Sequence, residues 1–397
     1  MTRQQERPPL MPSASFMNLD AQYRRIEHRL RAEMEEVMLS TTFIGGPKVE
    51  ALEHQLADRA GAAHCVSCAS GSDALVLALR VLNIGTGDRV LCPAYTFAAT
   101  VEAIVRVGAQ PVLIDIDPDT FNIDPRALES WLDCHAQAPE AAGVRAVIAV
   151  DLFGRPADYA ALAGLAERFE LNLVTDAAQS LGGHYHGRPV GSLADITITS
   201  FYPSKPLGCY GDGGALFVDD PALAERLRSL RNHGISPDRT RHEEIGMCSR
   251  LDALQAGVLL ARLTIFDDEL DQRNRIAEAY REGLGRRLVT PHLPATCRSA
   301  WAQYTVRLPD MPGEDNAALE RRRDTLVAAI RAQGIPVRCY YSPALHRHVA
   351  YQSITHDGLV HTDRVAAAAF SLPMHPYLEP HHVEQVCQAV KSACHED

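Results

Sequence analysis

The sequence predicts an α/β protein built on a largely parallel sheet with helices on both faces, followed by a smaller α+β domain. Short apolar runs such as Pro111–Ile114 and Arg145–Val150 predict strands, and each precedes a helical pattern, as in sheets that are covered on both sides. At 397 residues with 46% hydrophobic residues, the chain is long enough for more than one domain. We expect a mobile N-terminal segment (1–15), a large domain (16–265) and a small C-terminal domain (266–397).

The composition excludes several classes of function. A net charge of −11 argues against a nucleic-acid partner, because phosphate binding requires clustered Lys and Arg. The chain shows no apolar run of 18 residues and no apolar core of a signal peptide at its N-terminus, so we expect a cytoplasmic protein without a membrane partner. The ten cysteines are scattered, and Cys65 and Cys68 predict buried thiols rather than a metal or redox pair. The histidines lack the spacing of zinc hydrolases, so no metal is expected.

The first elements are two helices, a strand and a helix. Helical spacing extends from Leu19 to about Leu39, and Pro47 suits the first turn of a second helix through Leu56. His64–Cys68 then predicts a strand that leads through Ala69–Ser72 into a helix. At this turn the backbone N–H groups of Gly71 and Ser72 would lie at a helix N-terminus, which is a ready phosphate site, although a simple serine-capped helix remains the alternative.

Two polar residues follow predicted strands in the middle of the chain. Leu171–Asp176 is an apolar run that ends in a carboxylate, and Lys205 follows the alternating run Ile196–Ser200. Lys205 lies between Pro203 and Pro206, which predict a rigid, non-helical turn suited to a Schiff-base lysine. Strand ends of open α/β sheets meet at one edge, and pyridoxal-phosphate enzymes need such a Lys together with an Asp for the pyridine nitrogen. A solvated lysine and a turn aspartate are the alternatives.

The remaining elements complete a large domain and a small one. Pro221–Arg231 predicts a helix, residues 235–246 a surface loop, and Arg250 opens a long helical region that includes the domain hinge. Beyond it we expect strands at 303–308 and 335–339 and helices at 316–333, 363–369 and 381–393.

The combined motifs resemble those of the DegT/StrS-type sugar-nucleotide aminotransferases. The resemblance rests on Asp176–Ser180, Gly187–Gly191, Ser200–Lys205 and Gly211–Gly214, and it extends from about Leu19 to the C-terminus. It implies the aspartate-aminotransferase-like fold, known as fold type I, with pyridoxal 5'-phosphate as the cofactor. It also implies a homodimer with shared active sites, L-glutamate as the donor and a keto-sugar nucleotide as the acceptor.

The resemblance assigns roles to individual residues. Lys205 would be the Schiff-base lysine and proton shuttle, and Asp176 would pair with the pyridine nitrogen. The other expected cofactor contacts are Gln179 at the ring hydroxyl, Phe97 (rather than Tyr95) on the ring face, and Gly71, Ser72 and Ser200 at the phosphate.

One segment departs from the family pattern. Where the family has Gly-x-Asn-x-Arg, and its Asn reaches the cofactor phosphate of the partner subunit, this chain has Gly246–Arg250 with Cys248 at the Asn position. A thiol is a weaker donor than an amide, which places that contact in doubt. Arg250, Tyr341 and His346 are expected substrate-binding residues by the same resemblance.

The acceptor is the least constrained expectation. The motif around Lys205 looks closest to members that aminate C3 of a UDP-linked 3-keto-N-acetylhexosaminuronic acid, for a polysaccharide or related glycoconjugate. A 4-keto-sugar nucleotide is an alternative. A sugar dehydratase would carry His in place of Lys205, a nicotinamide oxidoreductase would need a Gly-x-Gly-x-x-Gly turn, and a non-catalytic scaffold would not need the Lys–Asp pair.

Overall fold

The computed structural model describes residues 15–135 and 143–394, so the segment 1–15, which we expect to be mobile, lies outside it except for its last residue. The helices are α1 (Leu19–Ser40), α2 (Pro47–Ala60), α3 (Gly71–Val81), α4 (Ala98–Arg106), α5 (Pro125–His135), α6 (Tyr159–Arg168), α7 (Pro221–Leu230), α8 (Ala253–Leu263), α9 (Phe266–Leu284), α10 (Asn316–Ala332), α11 (Val360–Ala368) and α12 (Pro380–Ala393). The strands are β1 (His64–Cys68), β2 (Arg89–Pro93), β3 (Gln110–Ile114), β4 (Val144–Val150), β5 (Asn172–Asp176), β6 (His184–Tyr185), β7 (Arg188–Pro189), β8 (Ile196–Ser200), β9 (Gly214–Val218), β10 (Cys297–Arg298), β11 (Tyr304–Arg307) and β12 (Ala369–Leu372). Among the helices of the described residues, none is long and apolar enough to cross a membrane.

The large sheet has seven strands in the order β1-β9-β8-β5-β4-β2-β3. β9 is antiparallel to both of its neighbours, and the other neighbouring pairs are parallel, which confirms the predicted α/β fold with a mostly parallel mixed sheet. Because β5 and β8 are parallel neighbours, the segments that follow Asp176 and Ser200 leave the sheet at the same edge.

Both faces of this sheet are buried under helices. In β9, Leu216 and Val218 belong to one apolar cluster, with residues of α3 and α4, whereas Ala215 and Phe217 belong to another, with residues of α1, α2 and α8. This alternation follows from the two-residue period of a strand. The sheet is therefore a rigid platform whose carboxyl edge is free to carry a site.

The C-terminal part has a smaller sheet and its own core. β11 and β12 pair antiparallel and pack with α10, α12 and the second half of α9. The first turns of α9 pack instead on the large-domain cluster through Phe266 and Leu270. The expected boundary between 265 and 266 stays a prediction, since this helix contacts both cores. The strand predicted at 335–339 is wrong, because only Arg338 makes a bridge, to Ser371, and Pro336 has no N–H to donate.

Hydrogen bonds join the segment from 340 to 362 to the edge of the large sheet. The Asp115 carboxylate, directly after β3, accepts from the backbone N–H of Thr362 at 2.8 Å in the first turn of α11. The Leu113 N–H donates to the Thr355 carbonyl at 2.9 Å, and the Tyr95 hydroxyl donates to the Tyr340 carbonyl at 2.7 Å. These contacts fix the Tyr340–Tyr341 segment beside the carboxyl edge of the sheet.

Candidate active site

A cleft of about 520 Å³ opens at the carboxyl edge of the large sheet. Its walls come from the start of α3, the start of α4, the ends of β5 and β8, and the segment at 340–341. Eight of the ten residues that the sequence marks for cofactor or substrate lie in its lining: Gly71, Ser72, Phe97, Asp176, Gln179, Ser200, Lys205 and Tyr341.

Lys205 lies in a tight turn just after β8. Its backbone N–H donates to the Tyr202 carbonyl at 2.8 Å, and the chain then returns so that the Cys209 N–H donates to the Phe201 carbonyl at 2.7 Å. Burial lowers the pKa of the Lys205 ammonium, and the Asp176 carboxylate offsets part of that effect. A larger fraction of neutral amine is therefore available at neutral pH than for a surface lysine.

Asp176 ends β5 and is buried in the floor of the cleft. Its Oδ1 accepts from the Ala178 N–H at 3.1 Å, and its Oδ2 accepts from the Thr100 hydroxyl at 3.4 Å. Burial raises the pKa of the Asp176 carboxyl, whereas these hydrogen bonds and the Lys205 charge lower it. A cation held at this carboxylate would favour the ionised form further.

The start of α3 forms a cradle with the end of β8. Ser70 caps the helix by accepting from the Asp73 N–H at 3.0 Å, which leaves the N–H groups of Gly71 and Ser72 without an intrahelical partner. A Cβ at Gly71 would lie 2.6 Å from the Ser200 Cβ, so only glycine allows the helix start to approach that strand end. Two backbone donors and two serine hydroxyls at a helix N-terminus suit a phosphate, so this donor set, with the Lys205 amine and the Asp176 carboxylate, fits pyridoxal phosphate.

Gln179 and Tyr341 are held together at one wall of the cleft. The Gln179 Oε1 accepts from the Phe153 N–H at 2.6 Å, and its Nε2 donates to the Tyr341 hydroxyl at 3.1 Å. The Tyr341 ring stacks on Phe153 with centroids 6.1 Å apart. Phe97 is 56% exposed and lines the cleft, whereas Tyr95 is fully buried in the core.

Arg250 and His346 do not reach this cleft. Arg250 lies in a separate groove of about 1260 Å³, where it donates to the Asn232 side chain at 2.8 Å and to the Cys248 sulfur at 3.0 Å. His346 is buried and its Nε2 lies 2.9 Å from an Asp363 carboxylate oxygen. Within one chain, therefore, neither residue joins the other eight.

Two further residues at the site, Gln303 and Asp151, escape sequence reasoning. Gln303 lines the cleft, as does Tyr340 of the Tyr340–Tyr341 stretch that the family resemblance places at the substrate site, and the Gln303 Oε1 is buried there without a hydrogen-bond partner among the described residues. Asp151 lies directly after β4, beside Asp176, and its backbone N–H donates to the Asp176 carbonyl at 3.1 Å. The same signal that marks Asp176, an apolar strand followed by a carboxylate, also marks Asp151. Nothing in the sequence pattern marks Gln303.

Across residues 15–135 and 143–394, no group of three His, Cys, Asp or Glu side chains is arranged to hold a metal ion. The cleft described above offers an amine, a carboxylate and hydrogen-bond donors.

Comparisons with known proteins show which family this chain is similar to. The sequence model of the DegT/DnrJ/EryC1/StrS aminotransferase family matches residues 24–391. The UDP-2-acetamido-2-deoxy-3-oxo-D-glucuronate aminotransferase of Pseudomonas aeruginosa is 39% identical over 380 residues, which cover 94% of this chain and 99% of that protein. The dTDP-3-amino-3,4,6-trideoxy-alpha-D-glucose transaminase of Streptomyces venezuelae is 37% identical over 385 residues, or 96% of each chain. The crystal structure of a DegT DnrJ EryC1 StrS aminotransferase from Brucella abortus superposes with a TM-score of 0.90 at 40% identity, covering 95% of this chain and 98% of that one.

Proposed function

Because the chain belongs to the DegT/DnrJ/EryC1/StrS aminotransferase family, we propose that it moves the amino group of L-glutamate to a UDP-linked 3-keto sugar. It is a sugar-nucleotide aminotransferase with pyridoxal 5'-phosphate as its cofactor. The proposal is that L-glutamate is the donor, that UDP is the nucleotide and that C3 is the carbon that receives nitrogen.

The observation that carries the proposal is the meeting of Lys205 and Asp176 in one cleft. The two residues come from neighbouring parallel strands, and the charge of each shifts the pKa of the other. A cleft with an amine of lowered pKa, a buried carboxylate and a phosphate cradle has the groups that amino transfer requires.

Pyridoxal phosphate, when bound, supplies an aldehyde carbon that bonds amines and a ring that withdraws electrons from the adjacent carbon. Lys205 Nζ would hold that carbon until a substrate amine displaces it, and would then accept a proton from the α-carbon of the donor. The Asp176 carboxylate would hold a proton on the pyridine nitrogen. Gly71, Ser72 and Ser200 would bind the phosphate, and Phe97 and Gln179 would orient the ring.

The acceptor assignment draws on the relatives. The Pseudomonas protein is named for a UDP-linked 3-oxo sugar and the Streptomyces protein for a dTDP-linked 3-amino sugar. Both names therefore place the reacting group at C3, but they differ in the nucleotide. The assignment of C3 is therefore supported by both relatives, whereas the assignment of UDP as the nucleotide depends on the greater identity to the Pseudomonas protein. The aminated sugar would be a building block of a polysaccharide or a related glycoconjugate.

We also propose that the protein works as a homodimer with shared active sites. The groove around Arg250 adjoins exposed apolar side chains near the end of α1, since the Ala253 N–H donates to the Phe43 carbonyl at 2.8 Å and Phe43 is 48% exposed. A second copy packed here would cover these side chains and bring Arg250 of one subunit to the cleft of the other subunit. This arrangement gives Arg250 and Cys248 a role that the single chain does not.

The visible spectrum of the purified protein tests the proposal. We expect a yellow protein whose colour is lost with L-glutamate and returns with a UDP-linked 3-keto sugar, and a Lys205→Ala variant that shows neither change. The same assay with dTDP-linked and 4-keto acceptors measures specificity. Recovery of the colour only with a 4-keto sugar would overturn the C3 assignment, and a protein that takes up no cofactor would overturn the proposal as a whole.

A further inference from the structure

A buried arginine on α8 contacts the backbone of the turn that carries Lys205. We propose that the ion pair between Arg262 and Glu269 positions Lys205 and couples its turn to the C-terminal domain. The inference rests on the proposed function only for the role of Lys205.

Arg262 is 2% exposed, and its guanidinium donates hydrogen bonds to the backbone of this turn. Its Nη2 donates to the Pro206 carbonyl at 3.1 Å, and its Nη1 donates to the Gly208 carbonyl. These carbonyls belong to the first and third residues after Lys205. A Cβ at Gly208 would lie 2.6 Å from the Tyr202 carbonyl oxygen and 2.9 Å from the Arg262 Nη1, so glycine at this position allows both the tight turn and the approach of the guanidinium.

A second residue of α8 holds the other end of the same segment. Gln255 lies two turns before Arg262 and therefore on the same face of the helix. Its Oε1 accepts from the Tyr210 N–H at 2.9 Å and its Nε2 donates to the Tyr210 carbonyl at 3.3 Å. One face of α8 thus binds the segment from 206 to 210 at three carbonyls and one N–H.

Glu269, on α9, connects Arg262 to two distant parts of the chain. Its carboxylate lies 3.6 Å from the Arg262 Nη2 and is itself 2% exposed. It accepts from the Gln22 side chain of α1 at 2.9 Å and from the hydroxyl of Tyr377, which follows β12 in the C-terminal part. A charge pair this deep is costly to desolvate, and its hydrogen bonds to a functional turn indicate a positioning role.

The ion pair therefore makes the geometry of the Lys205 turn depend on contacts that only the folded C-terminal part completes. Removing Arg262 would leave Glu269 buried without its partner and free the carbonyls of Pro206 and Gly208. Removing the Glu269 charge would leave the Arg262 guanidinium buried without its counterion and loosen its hold on the same carbonyls. The turn would then sample other conformations, and the Lys205 amine would leave its position in the cleft for part of the time.

Hydrogen–deuterium exchange of the holoenzyme tests this inference without relying on turnover. The reporters are the backbone N–H groups of Lys205, Cys209 and Tyr210, each hydrogen-bonded within the folded protein. We expect exchange in peptides that cover 202–211 to rise about tenfold or more in Arg262→Met and Glu269→Gln, with a smaller rise in Arg262→Lys and Tyr377→Phe.

Arg273→Lys is the matched control. Arg273 is equally buried on α9 and donates to two carbonyls, those of Trp301 and Met374, and among the described residues no hydrogen bond joins it to the Lys205 turn. Lysine keeps the positive charge at this position, which acts on both Glu269 and Arg262. We expect it to lower Tm by a similar amount while exchange at 202–211 keeps the wild-type rate. In parallel, the rate of the spectral change with L-glutamate should fall about tenfold in Arg262→Met and stay within twofold in the control.

Two results would overturn the inference: wild-type exchange at 202–211 in both Arg262→Met and Glu269→Gln, or an equal rise in Arg273→Lys. Should Arg262→Met not fold, Arg262→Lys and Tyr377→Phe decide by the same measurement. A protein that never responds to L-glutamate would count against the proposed function, whereas the exchange result would still decide the positioning role.

Discussion

The close approach of α3 to β8 makes Gly71→Ala a sharp test of the phosphate cradle. The added methyl group would lie 2.6 Å from the Ser200 Cβ and 3.0 Å from its Oγ, where ordinary contact begins at 3.4 Å. The Oγ can rotate away, but the Ser200 Cβ is fixed by the backbone of the strand end, so either the helix start or the strand end must move. Both carry expected phosphate donors.

Overpacking of this kind costs about 1–3 kcal/mol. Because the displaced groups are the donors of the cradle, we expect most of this cost to appear in cofactor binding, as a Kd for pyridoxal phosphate raised roughly 5- to 150-fold. The free energy of unfolding of the cofactor-free protein should fall by less, since the helix start can shift into the cleft.

Absorbance titration with pyridoxal phosphate measures the Kd, and urea unfolding measures the stability. Gly164→Ala is the matched control, because it is a helical glycine with no atom within 4 Å of the added Cβ. It should leave the Kd unchanged and stabilise the protein slightly. Adding Ser200→Gly to Gly71→Ala removes the overlap and should recover part of the affinity. A Gly71→Ala protein that binds the cofactor like wild type would refute the cradle.

Three other substitutions test the site. Asp176→Asn should retain the cofactor but slow the L-glutamate half-reaction roughly 100-fold or more, because a neutral amide does not hold the pyridinium proton. Stopped-flow absorbance measures the rate of this half-reaction, and a wild-type rate in the variant would contradict the role of Asp176. Gln303→Ala should raise the KM for the sugar nucleotide about 5- to 30-fold and leave the L-glutamate half-reaction within twofold, because Gln303 lines the cleft and its buried Oε1 has no partner among the described residues. An unchanged KM would count against a substrate contact. Cys248→Asn should slow cofactor loss on dialysis if the amide completes a contact in the dimer, and an equal rate would remove that role.

The sequence predicts the main pair of the site because strand ends follow a simple rule. Asp176 ends β5 and Lys205 lies in the turn that follows β8, and parallel strands bring such positions to one edge. Asp151 comes directly after the neighbouring strand β4, so the same rule of strand ends applies to it as well.

Other parts of the site depend on contacts that no local pattern encodes. Arg262 and Glu269 are charged residues in helical segments, where a solvated face is the usual expectation, and only the folded chain places Gln22 and Tyr377 around them. The chain's own fold also separates Arg250 from the cleft, which a motif alone does not reveal.

Asp151 gives the protein a pH-dependent stability. Its carboxylate is fully buried, and burial raises its pKa to about 7, with a smaller contribution from the Asp176 charge. The hydroxyls of Tyr159 and Ser180, each at 2.6 Å, and the Ala157 N–H at 2.8 Å oppose that rise. An asparagine fits the same site, because its oxygen accepts from Tyr159 and Ala157 while its NH₂ donates to the Ser180 hydroxyl.

The sign of the effect follows from proton binding. Between the ordinary pKa of 3.8 and the folded value of about 7, folded Asp151 keeps a proton that the unfolded chain releases, so stability is greatest near the lower limit and falls as pH rises to about 7. The slope is about 1.4 kcal/mol per pH unit, or roughly 2–3 kcal/mol from pH 5 to pH 7. Asp151→Asn lacks this proton, and other titrating groups are common to both proteins. We therefore expect urea unfolding of the holoenzymes to show wild type losing about that much more stability than the variant over this range. Equal slopes would mean that the three donors keep Asp151 ionised.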